Sequence, residues 1–140
     1  QIFQRGALII SEDQELVYRE AGSAIGDGPV ETGEADERRA LKLDAVTLFR
    51  YSALTFNAHR IHYDQEYARA SGYSGLVVHG PLLATLLARF AAERLAALSE
   101  FTFRATAPLT LGDVAWLCRE GDRYWVEGPR RRVSMTARVR

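Results

Sequence analysis

The hydrophobic pattern is strongest in the middle of the chain, where it predicts one long helix over residues 81–98. Gly80 is predicted at the N-cap and Pro81 at the first helical position, where the missing N–H of proline costs nothing. Apolar residues recur over a broad helical face: Leu82, Leu83, Leu86, Leu87, Phe90, Ala91, Leu95 and Leu98. A helix with so wide an apolar face is buried over most of its surface.

The segments after this helix have the short, alternating pattern of antiparallel strands. They cover residues 101–106, 114–118, 124–126 and 133–139. The pair Gly121-Asp122 lies in the connection between the second and third of these segments, as in a hairpin. The predicted fold class is therefore α+β, an antiparallel β-sheet wrapped around a long buried central α-helix.

Two shorter helices are predicted before the long one. Asp44 is a suitable N-cap for a helix that runs to about Leu54. Asp64 is a suitable N-cap for a second helix over residues 65–71, which Gly72 ends. Residues 55–63 between them are mostly polar and are predicted to form a loop.

The first forty residues are predicted to lie outside the main domain. Residues 1–20 resemble a hairpin, with strands at 7–10 and 16–18 around a polar turn at 11–15. Two strands alone are not stable in water, so this hairpin must pair with a further sheet. Residues 21–40 are rich in glycine and acidic side chains and are predicted to be a linker, which leaves residues 41–140 as the domain.

Composition narrows the function classes. The chain has 140 residues, and its 18 basic and 18 acidic side chains give no net charge, which argues against a nucleic-acid partner. No apolar stretch approaches the roughly 18 residues of a membrane span, and no signal peptide pattern is present. The single cysteine, Cys118, permits no internal disulfide. We therefore expect a cytoplasmic protein with neither nucleic-acid nor membrane partners.

The candidate chemistry lies in the polar loop and just beyond it. Asn57, His59, Arg60, His62 and Asp64 fall within eight positions. This density is typical of a binding or catalytic loop, although a solvated loop with capping roles is the alternative. The same histidines have ligand types that zinc accepts, but their spacing matches no strong zinc motif.

A second feature is the predicted helix start at Gly80, which follows His79. The free N–H groups of a helix N-terminus suit an anion or a developing oxyanion. Glycine there lets a ligand approach the backbone closely. A serine nucleophile is less well supported, because neither Ser52 nor Ser74 lies in a Gly-x-Ser-x-Gly turn.

Together these residues resemble a known family. The segments FRYSALTFNAHRIHYD (49–64) and GYSGLVVHGP (72–81) are similar to the MaoC-like hydratases and dehydratases of the hot-dog fold. Within them, they most resemble the branch of hydroxyacyl-thioester dehydratase type 2 and of mesaconyl-CoA (3-methylfumaryl-CoA) or itaconyl-CoA hydratases. The resemblance covers residues 41–104 well and the remainder only in its strand pattern.

The resemblance implies roles for individual residues. The terminal histidine of the hydratase motif Asp-x-Asn-Pro-x-His falls on His62, and its aspartate, asparagine and proline fall on Asn57, His59 and Arg60. The glycine whose N–H binds the thioester carbonyl falls on Gly80. The branch itself carries asparagine in place of the aspartate, and an amide cannot accept a proton at neutral pH.

On this basis we expect a hydro-lyase that adds or removes water across the double bond of an α,β-unsaturated acyl thioester. The expected catalytic residues are His62, Asn57 and Gly80. Substrate binding is expected of Arg60, His59, Tyr51 and His79. Arg60 has an equally plausible structural role, a salt bridge to Asp64 or Glu66. No metal or separate cofactor is expected, since coenzyme A or an acyl carrier is part of the substrate.

The alternatives are a hot-dog thioesterase and a non-catalytic acyl-thioester binding module. Members of the resembling branch often carry two hot-dog units, which implies that residues 1–20 are the last hairpin of a preceding unit. Hot-dog units pair edge to edge, so we expect a homodimer or pairing with a second unit.

Overall fold

The computed structural model describes residues 1–17 and 26–140 and has a five-stranded antiparallel sheet at its centre. Its strands and those of a separate hairpin are β1 (Ile2–Gln4), β2 (Ala7–Ile10), β3 (Glu37–Leu41), β4 (Phe101–Ala105), β5 (Ala115–Glu120), β6 (Arg123–Glu127) and β7 (Val133–Val139). The large sheet has the order β3-β5-β6-β7-β4. The helices are α1 (Ala45–Thr55), α2 (Gln65–Ala70) and α3 (Gly80–Ala92). This is the predicted α+β arrangement, with five strands in the sheet where four were expected.

The core lies between α3 and one face of the sheet. Leu87 and Phe90 of α3 are almost completely buried, and the Phe90 ring meets Tyr124 of β6 edge to face, with 5.8 Å between centroids. Met135 of β7 and Leu48 of α1 complete the same cluster and are also fully buried. The broad apolar face predicted the burial of this helix correctly. No helix among the described residues is long and apolar enough to cross a membrane.

Both ends of α3 differ from the prediction. The N-cap is His79, and Gly80 is the first helical residue. The helix ends at Ala92, not at Leu98, and the two polar residues that follow it form ion pairs with β3. Glu93 lies 2.8 Å from Arg39, and Arg94 pairs with Glu37. These contacts fix the end of the helix at the rim of the sheet.

The predicted linker is partly a structured strap. Glu37–Leu41 forms β3 and pairs with β5, so the boundary expected at residue 41 is wrong. Upstream, residues 26–36, here called the strap, cross the sheet face opposite α3. Gly28 has a positive φ of 73°, and a Cβ there would lie 2.6 Å from the carbonyl oxygen of Val133. Its neighbour Pro29 accepts a hydrogen bond from Val133 N–H at 2.8 Å. Such packed, hydrogen-bonded backbone is not a free linker. The earlier linker positions 21–25 lie outside the described residues.

A second, smaller core forms beneath the strap. Cys118, Trp125 and Val133 are buried there, with Ala35 of the strap packed against them. Burial raises the pKa of the Cys118 thiol to about 11, so this core cysteine stays a thiol at neutral pH and is unreactive.

Charged residues fasten the strap to the sheet. Glu31 is 93% buried, accepts from Gly33 N–H at 2.9 Å and pairs with Arg123. Arg131 donates to the carbonyl of Gly33, and Arg132 donates to that of Gly28 at 2.9 Å. Two neighbouring arginines that follow β6 therefore bind the backbone of the strap.

The N-terminal hairpin exists, but with a different register. Strands β1 and β2 pair around Arg5 and Gly6, whose φ values of 51° and 81° suit a tight two-residue turn. The predicted turn at 11–15 is wrong, because the turn between the two strands lies at Arg5 and Gly6 and residues 11–15 follow β2 without regular structure. Of the predicted second strand, Leu16 and Val17 are not in a strand, and residue 18 lies outside the described residues.

The strap generates a stability prediction. Glu31→Ala should lower the free energy of unfolding by about 1–3 kcal/mol, because it leaves the partly buried Arg123 guanidinium and the Gly33 N–H without their acceptor. Glu34→Ala is the matched control in the same segment, since the Glu34 side chain is 93% exposed; it should change stability by no more than about 0.5 kcal/mol. Urea unfolding followed by tryptophan fluorescence measures both. Equal effects of the two substitutions would show that the strap is not docked.

Candidate active site

Three elements bring the predicted site residues together: the end of α1, a short 3-10 turn at Arg60–His62 and the start of α3. Asp44 caps α1 as predicted and accepts from Thr47 N–H at 2.7 Å. At the other end, Phe56 adopts a left-handed conformation with φ 54°, and Asn57 N–H bonds to Ser52 O at 2.9 Å. This reversal of the chain carries the loop from α1 directly back to the 3-10 turn.

The second helix holds the other side of the loop. Asp64 caps α2 as predicted and accepts from Tyr67 N–H at 2.9 Å. Ile61 in the 3-10 turn accepts from Val77 N–H at 2.9 Å, which ties the turn to the segment that leads into α3. The polar loop is thus anchored at both ends.

His62 has the geometry of a general base. Its side chain is 7% exposed, and its Nδ1 lies 2.7 Å from the carbonyl oxygen of Val77. A carbonyl only accepts, so Nδ1 carries the proton and Nε2 keeps its lone pair. Burial lowers the pKa of His62, against the opposing effect of the Val77 bond; nearby His59 lowers it further. A low pKa keeps this imidazole neutral at neutral pH.

His79 lies directly behind His62. The two rings stack with 3.6 Å between centroids and 19° between planes. His79 is fully buried, and burial followed by the charge of His62 lowers its pKa to about 4. Its Nε2 lies 2.8 Å from Ser52 Oγ, and the Tyr51 ring packs 4.9 Å away. The structure therefore places His79 behind His62, where it has no exposed surface for a substrate to contact, and Tyr51 packs against it.

Asn57 makes a local turn. Its Oδ1 accepts from His59 N–H at 3.1 Å. Among the described contacts, Asn57 makes no hydrogen bond to His62, whose ring is held by the Val77 carbonyl. The side-chain N–H₂ group of Asn57 remains as a pair of donors.

His59 and Arg60 lie at the exposed side of the site. The His59 ring is exposed, 5.9 Å from that of His62. Arg60 bonds to Asp64 at 2.6 Å and stacks over Tyr67 at 4.5 Å, so the structure shows the alternative salt bridge that the sequence left open. Its side chain is nevertheless 57% exposed, which keeps one side of the guanidinium accessible.

Gly80 begins α3 beside the two histidines. The first N–H groups of a helix have no intrahelical acceptor. A Cβ at Gly80 would meet no atom within 4 Å, and its φ is not positive, so neither packing nor backbone conformation requires glycine there. Its backbone instead faces open space that a ligand can occupy.

Sequence reasoning missed two partners. The Val77 carbonyl could not be found from side-chain motifs, since any residue carries one. Ser52 was considered only as a nucleophile, although it lies four residues after the buried Leu48 on the inward face of α1. Within residues 1–17 and 26–140, no group of three or more possible metal ligands occurs.

Comparison with known proteins identifies the family. The family model described as hydroxyacyl-thioester dehydratase type 2 matches residues 1–111 of the chain.

Two curated relatives are similar in sequence. Mesaconyl-C(4)-CoA hydratase of Chloroflexus aurantiacus is 45% identical over 99% of this chain and 53% of its own length. Hydroxyacyl-thioester dehydratase type 2, mitochondrial, of Schizosaccharomyces pombe is 34% identical over 59% of this chain and 29% of its own length. The chain thus spans about half the length of the first relative and less of the second.

Solved structures agree at the level of the fold. The (R)-hydratase from A. caviae involved in PHA biosynthesis has a TM-score of 0.60 at 18% identity, covering 79% of this chain and 96% of that one. HtdX from Mycobacterium tuberculosis has a TM-score of 0.63 at 24% identity, covering 80% of this chain and 46% of that one. These likenesses confirm the predicted hot-dog fold. The match of the family model over residues 1–111 shows that the chain belongs to the hydroxyacyl-thioester dehydratase type 2 family.

Proposed function

We propose that this chain carries the active site of an acyl-thioester hydro-lyase, which adds water to an enoyl thioester or removes it from the hydroxyacyl product. One observation carries the proposal. His62 is buried, with its Nδ1 proton donated to Val77, so an unprotonated Nε2 is held near the N-terminus of α3 at Gly80. A neutral base beside unpaired backbone donors is the pair of functions that hydration of a conjugated thioester requires.

The proposed reaction starts with water near His62. Nε2 takes a proton as the water oxygen bonds to the β carbon of the double bond. The electron pair of that double bond moves toward the thioester, and negative charge develops on its carbonyl oxygen. The proton on His62 is then available for the α carbon, so the chemistry balances with one base. Dehydration is the reverse sequence.

The start of α3 stabilises the charge that develops. The N–H of Gly80, with the helix dipole behind it, would donate to the thioester oxygen as the enolate forms. The open space in front of Gly80 supports this role, since no atom lies within 4 Å of the point that a Cβ would occupy there.

Asn57 would bind the attacking water, and the exposed Arg60 would bind the substrate. Because Asn57 Oδ1 is already bonded to His59 N–H, its N–H₂ group is the part free to hold the attacking water. Arg60 and His59 lie on the exposed side and would bind an anionic group of the substrate, such as the free carboxylate of a dicarboxylic acyl chain. In that case Arg60 must share its guanidinium with Asp64.

The substrate class follows from the relatives, one of which is named for mesaconyl-C(4)-CoA. We propose that the substrate is an enoyl thioester of coenzyme A or of an acyl carrier. Mesaconyl-CoA and itaconyl-CoA are the thioesters to test first. No further cofactor is part of the proposal. The free, buried Cys118 fits a reducing cytoplasm, which is the proposed location.

One assay distinguishes a hydratase from a thioesterase and from a binding module without turnover. Loss of the absorbance of the conjugated double bond without release of free thiol supports a hydratase. Release of thiol supports the thioesterase alternative, and saturable binding without either change supports a binding module.

The first prediction concerns the base. His62→Gln should reduce hydration by at least about 100-fold, the usual effect of losing a general base, because an amide cannot take a proton at neutral pH. Initial rates on an enoyl-CoA measure the loss, and circular dichroism checks the fold. Ser71→Ala, at the exposed end of α2, is the control and should keep the rate of the wild-type protein. Near-normal turnover by the His62 variant would contradict the assignment.

The second prediction separates activity from stability at Gly80. Gly80→Ala should leave the melting temperature unchanged or slightly higher, because its Cβ meets no atom and alanine favours the helix. The hydration rate should nevertheless fall by about 100-fold, because the added methyl group would keep the thioester oxygen away from the N–H at this helix start, and losing the use of one oxyanion donor has at least this effect. Gly26→Ala is the matched control, with equally open surroundings and no predicted loss of rate. Full activity in Gly80→Ala would place the thioester elsewhere.

The third prediction concerns assembly. The site is open beside Phe56 and Leu54, which are 95% and 78% exposed, and the edge strand β4 presents Phe103, 41% exposed. We propose that a second hot-dog unit, in another copy or another part of a longer chain, covers such surface, because open apolar sheet edges are normally paired. For the chain as given, sedimentation at micromolar concentration should show a dimer. The interface should bury more than roughly 2,000 Å² in total, as obligate interfaces do. A stable, active monomer would contradict the pairing.

A further inference from the structure

The buried histidine behind His62 has no role in the proposed reaction, and its environment is unusual. His79 is completely buried, yet its Nδ1 has no hydrogen-bond partner. It is the N-cap residue of α3 but makes no capping bond with its side chain. Buried polar atoms are normally satisfied, so an imidazole kept here at such a cost requires a physical reason.

The contacts of His79 connect three elements. On one side, Ser52 of α1 lies 2.8 Å from its Nε2, and the Tyr51 ring packs at 4.9 Å. On the other side, its ring plane covers His62 at 3.6 Å. The backbone of His79 begins α3, so the ring is fixed at its root as well as at its far end. Any movement of α1 relative to α3 is therefore transmitted to His62.

The tautomer of His79 follows from its surroundings. A ring this deeply buried, whose pKa is lowered to about 4, is neutral at neutral pH and carries one N–H. A buried N–H without an acceptor costs more than an unpaired ring lone pair, so the proton belongs on Nε2, where Ser52 Oγ can accept it. Nδ1 is then the unpaired acceptor.

We propose, as an extension of the proposed function, that Ser52 and His79 are positioning residues for His62. The Ser52-held ring of His79 forms a fixed, water-free wall against one face of the His62 imidazole. Together with the Val77 carbonyl at the His62 edge, this wall leaves Nε2 as the exposed basic atom and allows one ring orientation. Neither residue needs to touch the substrate.

The surroundings of His62 make the wall effective. The titratable side chains in ring contact with it are His59 from the loop and His79. Behind these two, Tyr67 of α2 packs against His59 and Tyr51 of α1 packs against His79. Within the described part of the chain, no carboxylate hydrogen-bonds either buried histidine. The protonated form of His62 thus has no anionic partner there, and admitting water beside it would be the main way to stabilise that form.

The direction of the expected shift follows from this. Burial is the largest cause of the lowered pKa of His62. Loosening the wall lets water reach the ring, so its pKa should rise toward the ordinary value of about 6.5. The acidic limb of the rate profile should move to higher pH by the same amount, because only the unprotonated ring accepts the proton from water.

The test uses Ser52→Ala, with Ser52→Thr as the conservative variant and Ser71→Ala as the control. Removing the Ser52 hydroxyl should lower kcat about 10-fold with little change in KM, as loss of a residue that orients a catalytic group does. The Thr variant should restore most of the rate, because its hydroxyl can accept from His79. The acidic limb of the pH–rate profile should lie at a higher pH in Ser52→Ala than in Ser52→Thr.

A second measurement does not depend on activity. The chain has three histidines, so ¹⁵N-histidine NMR titration follows each ring, and His59→Gln assists assignment. In the wild-type protein, the Nδ1-protonated form of His62 and the Nε2-protonated form of His79 are expected. In Ser52→Ala, the pKa of His62 should rise, and its single tautomer should give way to a mixture.

The outcomes separate the two proposals. An unchanged His62 pKa and tautomer in Ser52→Ala would overturn the positioning role, whatever the activity. A wild-type protein without hydratase activity would overturn the proposed function, while the NMR titration would still decide the positioning role. If Ser52→Ala does not fold, His79→Ala removes the stacked ring itself and lets water reach the same face of His62. It should then show the same rise in the pKa of His62; an unchanged pKa there would overturn the proposal.

Discussion

The burial of α3 against the sheet is the constraint on which the rest of the structure depends. Leu87 and Phe90 fill the space above β6 and β7, and their burial fixes both the position and the direction of the helix. Since each fully buried side chain of this size contributes about 1.5–3 kcal/mol, this interface outweighs any single polar contact in the molecule. The direction matters for chemistry, because it decides where the positive end of the helix lies.

The position of the N-terminal end of α3 leaves a buried polar atom without a hydrogen bond. The N-terminal end of α3 brings His79 into the core, where one ring nitrogen stays unpaired. His62 is buried against it, with its Nδ1 bonded to the Val77 carbonyl and its Nε2 left open. Buried groups with lowered pKa values, placed next to a helix N-terminus, are typical of functional sites. The same packing that stabilises the fold therefore prepares the proposed base.

On the opposite face of the sheet, charged side chains hold the strap in place. The strap is fastened by the buried Glu31 and by backbone contacts of Arg131 and Arg132, over a small core around Trp125. A paired carboxylate at this depth contributes little net stability but is expensive to leave unpaired. It therefore specifies where the strap lies more than how tightly the domain folds. This explains how a segment with the composition of a linker becomes part of the sheet domain.

The sequence by itself determined the elements whose signals are local. The apolar face of α3, the caps at Asp44 and Asp64 and the alternation of β7 depend on neighbouring residues, and each was predicted near its observed place. The motif around His62 likewise identified the family, because residue types at fixed spacing persist where a reaction requires them.

Tertiary structure decided whatever depends on partners distant in the chain. Only the fold brings Glu37–Leu41 beside β5, pairs Glu93 after the end of α3 with Arg39 of β3, and turns the polar strap into a packed layer. Only the fold places His79 behind His62 and gives it Ser52, 27 residues away, as a partner. Local sequence specifies backbone preference and amphipathic pattern, whereas burial, tautomer and pKa are set by groups that meet only after the chain has folded.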